Sequence, residues 1–250
     1  MSSSPLLKTL AEAGIGSRRW VADAIRQDRV SVNGRVVEDF RYPLNVETDR
    51  VLIDGRLVDI KPGQPVCLML NKPKGVLSTT RDERGRRTVI SILSEKYRHL
   101  RLYPVGRLDK DSTGLLLLTN DGELTYKLTH PRFEREKEYL VLIDTLLNPG
   151  EKRKLEHGLR LEDGMTHPAV VRELKDCPAF NYSMVIHEGR KRQVRRMFQS
   201  LGHRVLALKR VRVGRLALGN LKEGATRELG IKEVQALLAA KQAGFAERRQ

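Results

Sequence analysis

The sequence predicts an α+β fold in two parts, a small N-terminal module over residues 1–64 and a larger unit over residues 65–250. Strand and helix patterns are mixed along the chain, without the regular alternation that a doubly wound parallel sheet imposes. Two short helices and two tight hairpins occupy the first part, and DIKPGQP, residues 59–65, then has the Pro/Gly/polar character of a linker. At 250 residues the chain is long enough for two compact domains.

Residues 6–13 read as a short helix, broken at Gly14-Ile15-Gly16. Ser17 is a good N-cap for a second helix through Gln27. Val21, Ala24 and Ile25 give it an apolar stripe at i, i+3, i+4, which Trp20 extends. VSVNGRVV follows, and its Asn33-Gly34 pair signals a two-residue hairpin turn. RVLIDGRLV repeats the device at Asp54-Gly55. In the larger unit VCLMLNKP is an apolar strand that ends in the breakers of Asn71-Lys72-Pro73-Lys74-Gly75. RDERGRR, residues 81–87, reads as an exposed, mobile loop, and KEYLVLI (137–143) and NYSMVIHEG (181–189) as strands. Residues 190–201 switch to a helical period, with Val194, Met197, Phe198 and Leu201 on one face and Gly202 as the stop. Arg192, Arg195, Arg196 and Gln199 fall on the opposite face. HRVLALKRVRVGRLAL returns to strand character, and GIKEVQALLAAKQAG closes the chain as a helix with Val234, Leu237 and Leu238 on its apolar side.

Charge narrows the partners. Forty-seven Lys and Arg against 31 Asp and Glu give +16 and a pI near 10.1, a balance that favours a polyanion. Residues 1–65 hold ten basic and nine acidic groups, so 37 against 22 remain for the larger unit, a net of +15. The densest stretch, 187–215, has ten Lys/Arg and one acid, Glu188. It includes Arg190, Lys191, Arg192 and Arg196, which are suited to phosphate neutralisation. In the small module Arg18, Arg19, Arg26, Arg29 and Arg35 make a second, local basic patch suited to phosphate. Arg18 and Arg19 stand in the first helical turn, where cations oppose the helix dipole. No apolar run is long enough to span a bilayer, and MSSSPLLKTLAEAG lacks the flank and core of a signal peptide. Cys67 and Cys177 have no motif partners, which points to a reducing cytoplasm. The six histidines are scattered, and no set of ligands has zinc-like spacing, so no metal is expected.

The most informative stretch is GRLDKDSTGLLLLTNDGEL, residues 106–124. Asp109 lies beside Arg107 in a Gly-led turn, and Leu115–Leu118 read as a short, fully buried strand that would hold that turn rigid. Asn120-Asp121-Gly122 then turns into a helical pattern. From spacing alone Asp109 is either a reactive carboxylate or a turn residue bonded to its own backbone. Asp111 and Asp121 are acids that could pair with it for hydrolysis.

GRLD followed by STGLLLLTNDGEL resembles the central motif of the pseudouridine synthases, most closely the RsuA/RluB-type enzymes of ribosomal RNA. NKPKGVLST resembles the first motif of the same synthase domain. The order of helix, Gly break, SRR helix and NG hairpin is similar to an S4-type RNA-binding domain, a common N-terminal attachment in that family. The resemblance implies an S4-like αβ domain before a catalytic domain with a central, mainly antiparallel sheet and flanking helices. It implies cofactor-free isomerisation of uridine to pseudouridine, with one carboxylate, on Asp109. That carboxylate attacks the base, attacks the sugar or removes a ribose proton. A buried carboxylate stays ionised only beside a fixed cation, and the resemblance assigns that place to Arg195. It makes Tyr139 the residue that stacks on the target base and assists proton transfer, and Arg107 the residue that fills the space left by the flipped base. The expected partner is ribosomal RNA or a ribosomal subunit precursor, with the large subunit favoured over the small. The expected protein is a cytoplasmic monomer with no membrane association. Its rivals are a non-catalytic RNA-binding ribosome-assembly protein and a hydrolase using two carboxylates.

Overall fold

A computed structural model describes residues 3–239. The expected continuation of the last helix to Gly244, and the tail AERRQ, lie outside the described residues. Two compact units divide the chain, one running to Pro65 and including Asn120–Gly122, the other beginning at Val66.

The first unit follows its turn chemistry. Helix Leu6–Glu12 stops at Gly14, whose φ of 79° is left-handed. Ser17 then caps helix Arg18–Arg26, its Oγ accepting from the Trp20 amide at 3.0 Å. Four short antiparallel strands lie in the order Arg35–Val36, Val30–Val32, Val51–Ile53, Arg56–Val58. Both connecting turns put two residues at positive φ, Asn33 (51°) with Gly34 (83°) and Asp54 (52°) with Gly55 (74°), as a type I′ hairpin requires. Leu6, Leu10, Val21 and Ile25 pack on Val30, Val32, Val51 and Ile53 as a closed core. Trp20 does not join it. The ring is 40% exposed, because it leans over Gly16 and carries the Arg29 guanidinium 5.4 Å from its centroid.

In the second unit the described strands form one large sheet and a separate two-stranded ribbon, Arg160–Leu161 with Gly164–Met165. The main order of the sheet is Val170–Glu173, Tyr182–Ile186, Lys137–Ile143, Val205–Val213, Thr113–Thr119, Cys67–Lys72, Thr226–Glu228. Every pairing is antiparallel except Val205–Val213 with Thr113–Thr119, where Lys209 faces Thr113 and Arg210 faces Gly114. The leucine run follows from burial on both sides. Leu116 and Leu118 enter a core with Phe198 and Met184, while Leu115 and Leu117 enter another with Met69 and Leu237. Helix Pro149–His157 starts on a capping box between Asn148 and Glu151. Helices Gly122–Thr129, Gln193–Gln199 and Ile231–Leu238 complete the described elements of regular length. Residues 81–87 are exposed but braced: the Asp82 carboxylate accepts from the Arg84 and Arg86 amides and from Arg86 Nη2 at 2.6 Å. Those bonds hold the Asp82 carboxyl down at about 2.

Candidate active site

A cleft of about 750 Å³ opens in the second unit, and Asp109 stands on its wall. The loop carrying Asp109 is pinned on both sides by the NKPKGVLST segment. The Ser78 hydroxyl donates to the Leu108 carbonyl at 2.8 Å and accepts from the Leu108 amide at 3.1 Å. The Gly75 amide donates to the Lys110 carbonyl at 2.8 Å. Within the loop the Ser112 amide donates to the Asp109 carbonyl at 3.1 Å. Lys72, with no exposed surface, donates to the Pro73 carbonyl at 2.9 Å behind the loop. Burial pushes its ammonium down to about 8, although Asp111 and Asp109 pull the other way. The two sequence motifs are therefore two halves of one clamp.

Immediately after the loop, Gly114 permits the parallel join. A Cβ there would stand 2.2 Å from the Arg210 carbonyl oxygen and 2.7 Å from its amide nitrogen, and φ is 99°. Only glycine lets the two backbones approach this closely.

Tyr139 lies on the neighbouring strand, 8% exposed, and lines the same cleft. Lys137, two residues earlier, shares its face. Arg210 sits opposite Tyr139 and Val213 opposite Lys137. Residues 210 and 213 would ordinarily face opposite ways. A bulge between Glu138 and Tyr139 in this pairing brings both onto the cleft. Arg210 is 4% exposed and donates from Nε to the Leu115 carbonyl at 2.7 Å. Lys137 Nζ donates to the Arg135 carbonyl at 3.0 Å. Burial, then Arg210, push Lys137 down to about 8, with Glu188 opposing.

The basic stretch differs from its helical reading. Arg192 takes a left-handed φ of 51° as the residue before helix Gln193–Gln199, so it does not share a helical face with Arg195. From that turn Arg192 Nη1 reaches Asp109 Oδ2 at 3.8 Å and Asp111 Oδ1 at 3.4 Å. Arg195, expected opposite the apolar stripe, is turned inward and 9% exposed. It donates to the Val205 carbonyl at 3.0 Å and the Asp111 carbonyl at 3.3 Å, and pairs with Asp111 Oδ2 at 3.3 Å. Burial lowers its guanidinium below the ordinary value, and Asp111 partly offsets this. The cation in ion-pair contact with Asp109 is thus Arg192, while Arg195 holds the adjoining carboxylate. Asp111 is bound by two arginines, and Asp121 does not line the cleft.

Other cations expected at RNA are engaged within the protein. Arg190 bonds the Glu188 carboxylate and the carbonyls of Asp163, Gly164 and Met165. Arg196 pairs with Asp163 at 2.8 Å. Lys191 and Arg192 remain exposed on the cleft, as does Arg107. In the first unit Arg18, Arg19 and Arg35 are exposed. Arg26 pairs with Asp23 at 2.9 Å, and Arg29 grips Asp54 through two bonds of 2.6 Å. Sequence reasoning missed Ser78, Lys137 and Arg210. Period-2 spacing from Tyr139 would have found Lys137, whereas Arg210 depends on the bulge.

No described group of His, Cys, Asp and Glu could hold a metal ion, and no described helix is long and apolar enough to cross a membrane. The arrangement offers the Asp109 carboxylate beside cations, with Glu134 and Glu188 also on the wall, a phenol and an opening large enough for a base, which suits chemistry on an extruded nucleotide.

Comparison with known proteins gives the same picture. A family model described as RNA pseudouridylate synthase matches residues 66–200, and one described as S4 domain matches residues 4–51. Ribosomal large subunit pseudouridine synthase B of Bacillus subtilis (strain 168) is 42% identical over 94% of this chain and 95% of its own length. The protein of the same name from Vibrio cholerae serotype O1 is 42% identical over 94% of this chain and 74% of its own. A crystal structure of pseudouridylate synthase superposes with a TM-score of 0.67 at 33% identity, covering 94% of this chain and 100% of that one.

Proposed function

Because this chain belongs to the RNA pseudouridylate synthase family and is a pseudouridine synthase, we propose that it isomerises uridine in large-subunit ribosomal RNA with Asp109 as its catalytic carboxylate. The observation that carries this reading is convergence: one turn bearing Arg107 and Asp109, the strand bearing Tyr139 and the helix start bearing Arg192 line one cleft. The preference for the large subunit rests on the names of the two relatives.

In the reaction the bond from ribose carbon 1′ to nitrogen 1 breaks. The base turns, and carbon 5 bonds to carbon 1′. The carbon 5 proton is lost and nitrogen 1 gains one, so the RNA keeps its mass. Asp109, in ion-pair contact with Arg192 at 3.8 Å, acts on the base, on the sugar carbon or on a ribose proton. Tyr139 supports the turned base by stacking and offers a phenol for proton transfer. Arg107, exposed beside Asp109, fills the gap in the RNA stack that base extrusion leaves, which costs a few kcal/mol. Arg195 positions the loop through Asp111. The S4 domain contacts RNA through Arg18, Arg19 and Arg35. We place the enzyme in the cytoplasm as a monomer that needs no cofactor.

Asp109→Asn tests the assignment. Pseudouridine formation should vanish while RNA affinity stays within a few-fold, and substantial residual activity would sink the carboxylate's role. Mapping pseudouridines in ribosomal RNA from a deletion strain tests the target. A missing large-subunit pseudouridine is expected; a missing small-subunit one would redirect it.

A further inference from the structure

The outer wall of the cleft runs into a cluster of rings that the isomerisation chemistry leaves unused. Helix Gly122–Thr129 is followed by a single 3-10 turn, Pro131–Phe133. Together they gather Tyr126, His130 and Phe133, with centroid separations of 4.9, 5.8 and 6.3 Å. The Arg132 guanidinium lies 4.9 Å from the Tyr126 centroid and 4.5 Å from that of Phe133. Packed rings of this kind ordinarily belong to a core. Here Tyr126 is 42% exposed, and His130 and Arg132 are exposed as well.

The cluster is built, and it is continuous with the site. The Arg132 amide donates to His130 Nδ1 at 3.3 Å, closing the turn. Two residues past Phe133, Arg135 donates to the carbonyls of Leu238 and Ala239, tying the segment to the end of the last described helix. Thr129, His130 and Pro131 line the cleft with Arg107 and Asp109. A Cβ on Gly106 would stand 3.7 Å from the Thr129 methyl, so the turn carrying Arg107 lies against the start of the cluster.

We propose that Tyr126 and Arg132 form a stacking platform for an unpaired RNA base beside the target uridine. The proposal rests on the cleft being that of an RNA-modifying enzyme. Extruding one nucleotide leaves its neighbours partly unstacked at the mouth of the cleft. Aromatic faces and guanidinium planes are the surfaces on which unpaired bases pack, with no need for a particular base. Cation–π contact holds Arg132 flat in advance of binding. Its charge also favours the phosphates that flank the base over an apolar protein surface.

The test uses the full chain and a fluorescent single-stranded oligouridylate, with affinity measured across a salt series. Tyr126→Ala should weaken binding about tenfold and leave the salt slope unchanged, because no charge is removed. Tyr126→Trp should restore binding. Arg132→Ala should weaken it and lower the slope by about one. Trp20 is the sole tryptophan, so a chain carrying Trp20→Phe with Tyr126→Trp places one reporter in the platform, and oligouridylate should quench it. Unquenched emission, or Tyr126→Ala binding as tightly as the parent at every salt concentration, overturns the platform. Pseudouridine formation by the parent chain is measured in parallel. If it occurs while Tyr126→Ala binds normally, the platform alone falls. If it fails while the platform reporter is quenched, the enzymatic reading falls instead.

Discussion

The Ser78 hydroxyl grips both backbone groups of Leu108, accepting from the amide at 3.1 Å and donating to the carbonyl at 2.8 Å. One side chain thereby fixes the residue that precedes Asp109. Ser78→Ala frees both groups, at a cost of about 1 kcal/mol in stability. The larger effect should be on geometry. We expect kcat to fall about tenfold with KM little changed, because a small displacement of a reacting group is costly. Steady-state kinetics on an RNA substrate checks this, and an unchanged kcat would show that the loop is held by other means.

Arg192 and Arg195 should separate by stability. Arg195 is buried against Asp111 and the Val205 carbonyl, so Arg195→Met leaves acceptors unpaired and should cost about 3 kcal/mol or more. Arg192 is exposed, and Arg192→Met should stay within about 0.5 kcal/mol of the parent. Chemical denaturation measures both, and equal losses would contradict the inward placement of Arg195.

Lys137 carries a pH signature. Its ammonium falls from an ordinary 10.5 to about 8 in the folded protein, so between those values the unfolded chain holds the extra proton. The penalty for burying the charge is complete below pH 8 and gone by pH 10.5, so this group makes stability rise with pH across that window. Lys137→Met removes the penalty and should stabilise the protein at neutral pH by on the order of 1–3 kcal/mol. The advantage should fade as pH climbs from 8 towards 10.5. Melting curves across that range decide it, and a pH-independent difference would refute the assignment.

The basic stretch should divide in the same way between surface and interior. Lys191→Ala, on the exposed cleft rim, should weaken RNA binding and reduce its salt slope by about one. Arg190 is spent on Glu188 and three carbonyls. Arg190→Ala should lower the melting temperature and leave the slope as it was.

Much of this was legible in the sequence because turn chemistry is local. Asn33-Gly34 and Asp54-Gly55 each placed a hairpin, Ser17 placed a helix start, and the four leucines placed a two-sided strand. Asp109, Tyr139 and Arg107 were legible through motifs, and the cleft gathers all three. What escaped depends on departures from periodicity. A left-handed Arg192 delays the helix, so Arg195 turns to the core instead of the surface. A bulge opposite Glu138 and Tyr139 reverses the facing of Arg210. Trp20 was read as core from helical spacing, yet it is held outside by Gly16 and Arg29.

The parallel strand pairing of the large sheet, at Lys209 with Thr113 and Arg210 with Gly114, can close only after residue 210 has been made. It splices two antiparallel halves whose members lie far apart in the chain, and such contacts form slowly. During synthesis Asp109 and the strands Cys67–Lys72 and Thr113–Thr119 emerge long before Arg192, Arg195 and Arg210, and the edge strand Thr226–Glu228 emerges after them. The segment that matches the S4 domain, residues 4–51, is made before any residue that lines the cleft. The cleft needs lining residues as far along the chain as Val213, so its completion falls late in synthesis, and the join at Gly114 marks it.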